Sequence, residues 1–142
     1  MGNDIGYFFW LLLQGLDGLQ YAWPVTLFLI GLLIFFIQRT FKTRRLPFER
    51  GLFLSLIPML FIPLMAALGT AYRNSTHSTP EVYTWPEYIV GYLPLVQIPL
   101  TLYLAIKLRS YRGFVISVSL LIFWFNFWAS FVCGMAISGD WL

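Results

Sequence analysis

Gln38-Arg39-Thr40-Phe41-Lys42-Thr43-Arg44-Arg45-Leu46-Pro47-Phe48-Glu49-Arg50 holds five of the chain's nine Lys and Arg residues and separates two long apolar runs. A short basic stretch between apolar runs reads as a loop joining two membrane-spanning helices. Such Lys/Arg-rich loops are retained on the cytoplasmic side. Once that loop has a side, every other segment acquires a side and a depth.

Composition agrees. The chain has 142 residues, 59% of them hydrophobic and 11% charged. An ordinary soluble domain is about 45–50% apolar and about 25% charged. A soluble fold this small has too little interior for so much apolar surface, so the class is polytopic membrane protein. The net charge of +3 is no signal for nucleic acid, because the basic residues concentrate in two short loops that topology already explains. Cys133 is the single cysteine, so neither an internal disulfide nor a cysteine-based metal cluster is available.

The pattern predicts an all-α integral membrane protein with one membrane domain over 1–142. Four transmembrane helices are expected at 23–38, 51–71, 86–108 and 113–137, as an up-down-up-down bundle. Each approaches the roughly 20 residues that cross about 30 Å of hydrocarbon. An N-terminal interfacial amphipathic helix is expected at 4–19. Ile5, Phe8, Phe9, Leu12, Leu16 and Leu19 share one face of it, and Tyr7, Gln14 and Asp17 lie opposite. The alternative is a loose N-terminal extension of the first span. Asp4 stands where a signal peptide would be basic, so no cleaved leader is expected. Lys107, Arg109 and Arg112 sit on the same side as the basic loop. That orientation leaves both termini extracytoplasmic, most naturally in a bacterial inner membrane. Tyr21-Ala22-Trp23-Pro24 recurs as Tyr83-Thr84-Trp85-Pro86, and Arg50-Gly51 recurs in the same register as Arg112-Gly113. This reads either as a duplicated hairpin or as convergent interface chemistry.

Candidate working residues fall into three sets. Pro58 and Pro63 in the second span, with Pro94 and Pro99 in the third, lie at matched depths from the basic side. Each interior proline frees a carbonyl four residues back, which marks either a hinge or hydrated seam, or simply the shape of the bundle. Gln97 and Asn126 are the deep carboxamides. Ser119, Asn126, Ser130 and Ser138 share one face of the fourth span with Gly134. Small and polar residues on one face mark contact with protein rather than lipid. Arg39, Lys42, Arg44, Arg45 and Arg50 are candidates for contact with anionic lipid or a partner. The aromatic run Phe123–Trp128 reads either as a clamp for a flat ligand or as packing.

No Asp, Glu, Lys, Arg or His falls within the four expected spans, although proton relays and ion-coupled transport normally use such groups. No phosphate loop, paired carboxylates or nucleophile–base pair is present. The expectation is a non-enzymatic protein with no cofactor, metal or nucleic-acid partner. It acts through membrane lipids, other membrane subunits or self-association, as an accessory or assembly subunit or a small interaction partner. The alternative is a small oligomeric channel or transporter using the proline-kinked seam between the second and third spans.

Overall fold

A computed structural model describes residues 2–43, 53–73 and 84–139. Five α-helices are named among the described residues: α1 (Gly2–Tyr21), α2 (Trp23–Thr43), α3 (Phe61–Ala71), α4 (Thr84–Lys107) and α5 (Arg112–Ser138). Single 3₁₀ turns precede α3 at Ile57–Leu60 and α5 at Arg109–Tyr111. No strand occurs among the described residues. Among the described residues three helical stretches are long and apolar enough to cross a membrane, at 23–40, 85–107 and 109–138.

The bundle is built around α5. With 27 residues it is about 40 Å long at 1.5 Å per residue, and each of the other four helices packs against it. Of the 109–138 stretch 44% is buried, against 6% of 23–40. The polar face of α5 is the one that meets protein: Ser119 and Asn126 are buried, and Ser130 and Ser138 are half-buried. Gly139 ends the helix in the left-handed conformation (φ 82°), with its N–H on the Met135 carbonyl, an arrangement that glycine adopts without steric cost.

The second expected span is not one helix. Residues 55–56 form a turn, residues 57–60 a 3₁₀ turn, and α3 has only 11 residues. Two prolines account for the break. Pro58 opens the 3₁₀ turn and Pro63 lies in the first turn of α3, both positions where a missing N–H is harmless. By contrast α4 runs unbroken through Pro94 and Pro99.

The N-terminal helix runs over Gly2–Tyr21. It packs along α5 and α3. Its buried side carries Leu11, Gly15 and Gly18, whereas Ile5, Phe9 and Leu16 of the expected apolar face are exposed. The glycines make the interface. A Cβ on Gly15 would lie 3.5 Å from the Ala129 Cα, and one on Gly18 would lie 2.6 Å from the Trp128 ring. Small residues let helices approach this closely.

Pairings along α5 give the path of the chain. Gly15 meets Ala129, Gly18 meets Trp128, Thr26 meets Trp124 and Gly113 meets Phe36. Both α1 and α2 therefore run antiparallel to α5, one after the other, separated only by Ala22. Thr26 ties the joint: its hydroxyl lies 3.3 Å from the Ala22 carbonyl and accepts the Trp124 indole N–H at 3.0 Å. Trp23 and Pro24 thus lie beside the middle of α5, not at its outer end. The duplicated-hairpin reading finds no counterpart in the packing, since α4 and α5 pair intimately while α2 and α3 each dock on α5 instead.

Gly18→Leu should displace Trp128 and destabilise the bundle by about 1–3 kcal/mol, the usual cost of overpacking. Gly31→Leu, with open space around its Cβ, should be nearly neutral. Thermal unfolding in mild detergent, followed by circular dichroism, measures both. Equal stability of the two variants would contradict the α1–α5 contact.

Candidate functional site

The deep polar residues meet at one point. Asn126, wholly buried at the middle of α5, donates from Nδ2 to the Pro58 carbonyl and to Gln97 Oε1, each at 3.0 Å. Gln97, 1% exposed, donates in turn from Nε2 to the Ser119 carbonyl at 2.6 Å. Three segments are joined by this cluster: the 3₁₀ turn before α3, the middle of α4 and the middle of α5. Asn126 thus reaches the Pro58 carbonyl, and Gln97 bonds to α5.

Ser130 does for α4 what Asn126 does for the 3₁₀ turn. Its hydroxyl donates to the Val90 carbonyl at 2.8 Å, the carbonyl that Pro94 deprives of its helical N–H. This explains why α4 continues through Pro94 without a break. The seam expected between the second and third spans is therefore filled by side chains from α5. Of the remaining prolines, Pro58 and Pro94 are buried, and Pro63 and Pro99 are exposed. One polar atom of the cluster, Asn126 Oδ1, is buried without a hydrogen-bond partner.

The aromatic run packs on itself. Trp124 stacks on Phe127 at 5.9 Å and meets Trp128 edge-on at 5.9 Å, and Trp128 meets Phe131 edge-on at 6.1 Å. These rings also cover Gly18 and Thr26, so the packing alternative describes them. Gly134 does not serve close helix approach, because nothing lies within 4 Å of its would-be Cβ. Together with Gly91, Tyr92, Ser130 and Ser138 it borders an open groove of about 550 Å³ between α4 and α5.

Two features escaped the sequence reading. First, Asp17 is exposed on α1, with Gln20 donating to it at 3.4 Å. Because Gly18 meets Trp128, Asp17 sits beside the central part of α5, about 4.5 Å along the helix from its midpoint at Phe125. The signal available in sequence was the glycine spacing of α1, which marks a helix-packing face. Second, Arg39, Arg109 and Arg112 converge at the other end of the bundle on one pocket. Lys42 is exposed nearby on α2, and Arg44, Arg45 and Arg50 lie outside the described residues. Among the described residues no three His, Cys, Asp or Glu side chains gather as metal ligands.

No family model matches this chain, and no curated protein or solved structure matches it either.

Asn126→Leu removes both donated bonds and leaves Gln97 Oε1 without its donor, at about 1–3 kcal/mol for an unsatisfied buried acceptor, while the Pro58 carbonyl keeps only the Phe61 N–H. Gln97→Leu leaves Asn126 bonded to Pro58. Of the two, Asn126→Leu should lower the unfolding midpoint in detergent further. A larger loss from Gln97→Leu would show that the cluster is not organised around Asn126.

Proposed function

We propose that this chain is an integral membrane protein that acts through contacts, as an accessory or assembly subunit of a larger membrane complex. In this reading α4 and α5 each cross the bilayer. The combined path of α1 and α2 forms another pass, and the broken 57–71 segment completes a four-pass bundle. The end bearing Arg39, Lys107, Arg109 and Arg112 faces the cytoplasm, and both termini face outward across a bacterial inner membrane.

The observation that carries this reading is Asp17. With the bilayer centred on α5, an exposed carboxylate beside Trp128 stands at hydrocarbon depth. Gln14 and Gln20 lie at neighbouring turns of the same helix. An aspartate at that depth costs about 2.5–3.5 kcal/mol on insertion scales, so intramembrane acids characteristically face protein or a water-filled cavity. Among the described cations, Lys107, Arg109 and Arg112 lie at the far end of α5 and Arg73 lies over the Tyr7 ring, ten residues from Asp17 along α1. The complement that fits is a transmembrane helix of another protein presenting a cation or amide donors. Closure of the proline seam by Asn126 and Ser130 also favours a contact role.

One observation favours a second reading. The same polar face, repeated around a ring of identical copies, would line a hydrated passage, which is the arrangement of a small oligomeric channel.

Purification in mild detergent separates the two. The subunit reading expects unlike membrane proteins at fixed stoichiometry, lost in Asp17→Leu, with the thermal stability of the isolated chain changed by no more than about 0.5 kcal/mol. A homo-oligomer that depends on Asp17 would transfer the assignment to the channel. A monomer indifferent to Asp17→Leu would defeat both.

A further inference from the structure

The groove between α4 and α5 lies where α4 begins and α5 ends, and its volume of about 550 Å³ falls within the roughly 300–1,000 Å³ of ordinary ligand sites. Glycines on both helices keep it open: nothing lies within 4 Å of a Cβ built on Gly91 or Gly134. The Tyr88, Tyr92 and Phe131 rings line it, and Glu87 is the one charged residue among the described residues that border it. We infer that the groove binds a phospholipid with an ammonium headgroup, its acyl chain between Gly91 and Gly134 and its ammonium beside Glu87.

The rim has the chemistry for that headgroup. Glu87 is exposed in the first turn of α4. Among the described residues no cation pairs with its carboxylate, and Arg73 lies over the Tyr7 ring instead. Tyr88 and Tyr92 are exposed and stack on each other, with ring centroids 6.5 Å apart. Aromatic faces attract ammonium groups, and phenolic hydroxyls donate to phosphate oxygens. An acidic headgroup would instead meet the Glu87 carboxylate as a like charge. At the other end of the groove the Ser130 hydroxyl already donates to the Val90 carbonyl, so it asks nothing polar of the occupant. Length favours a lipid over a partner's helix. From Ser138 to Ser130 the groove runs about 12 Å at 1.5 Å per residue. A spanning helix crosses about 30 Å of hydrocarbon, whereas an acyl chain held at the interface occupies only one leaflet.

The inference rests on the membrane reading, which supplies the bilayer. Its readout is bound lipid and not copurified subunits, so either can fail alone. The full chain, purified in dodecyl maltoside, is incubated with radiolabelled phosphatidylethanolamine or phosphatidylglycerol, and the lipid retained after gel filtration is counted. Wild type should retain the ethanolamine lipid about threefold better, and Glu87→Gln should remove that preference. Gly91→Leu/Gly134→Leu fills the groove and should lower retention of both lipids about tenfold. Gly31→Leu, equally open but on α2, should retain lipid as wild type does. Unchanged circular dichroism would show that the variants fold, and the exposed Glu87→Gln keeps the test available if the double glycine variant does not. Equal retention of the two lipids by wild type, or full retention by a folded Gly91→Leu/Gly134→Leu, would overturn the proposal. A homodimer lost in that double variant, with no lipid retained by wild type, would overturn it in favour of a second copy of the chain.

Discussion

The amide of Asn126 is the interaction on which the remaining geometry depends. Lipid tails are as apolar as leucine, so burying apolar side chains gives spanning helices little reason to associate in one register. Directional bonds and close backbone contacts must set the register instead. The donated bonds of Asn126 fix the 3₁₀ turn and α4 to the middle of α5. The Ser130 and Trp124 side chains then fix α4 and α2 at points a turn or less away. All of these groups belong to one helix. Moving α5 by a single turn would therefore break every interhelical hydrogen bond described for the bundle.

Prolines show how the same chemistry yields two outcomes. Where α5 offers a hydroxyl to the freed carbonyl, at Val90, the helix continues. Where the chain can begin new turns at Pro58 and Pro63, it breaks, and the buried Pro58 carbonyl becomes an anchor for Asn126. Position in the turn and the presence of a neighbouring donor decide the result, not proline itself.

The broad class was legible because it rests on quantity: apolar runs, few charges and one-sided basic loops. The contact face of α5 was legible too, since Ser119, Asn126 and Ser130 are polar residues in an apolar helix and have few other uses. The packing of α1 on α3 and α5 was not legible for a physical reason. Its leucines and phenylalanines marked an apolar face suited to the membrane interface, and in an apolar environment large side chains do not mark contact with protein. Gly15 and Gly18 carried the information, because their lack of a side chain allows the contact with Ala129 and Trp128. Pro24 does mark the start of α2, which begins at Trp23 as expected. That this start lies beside the middle of α5, where Thr26 and Trp124 bridge the joint, was not legible. The pocket formed by Arg39, Arg109 and Arg112 was not legible, because its members come from separate basic stretches that only the fold brings together.

The order in which the chain is made gives the central position of α5 a further meaning. It is synthesised after α1, α2, α3 and α4, yet it is the surface on which those four dock. Until the translating ribosome has released it, α1 has nothing to cover its glycine face and α4 has no donor for Val90. The nascent chain therefore lacks these contacts until α5 has emerged, and a shortened product without α5 would present quality-control proteases with a bundle that has no axis.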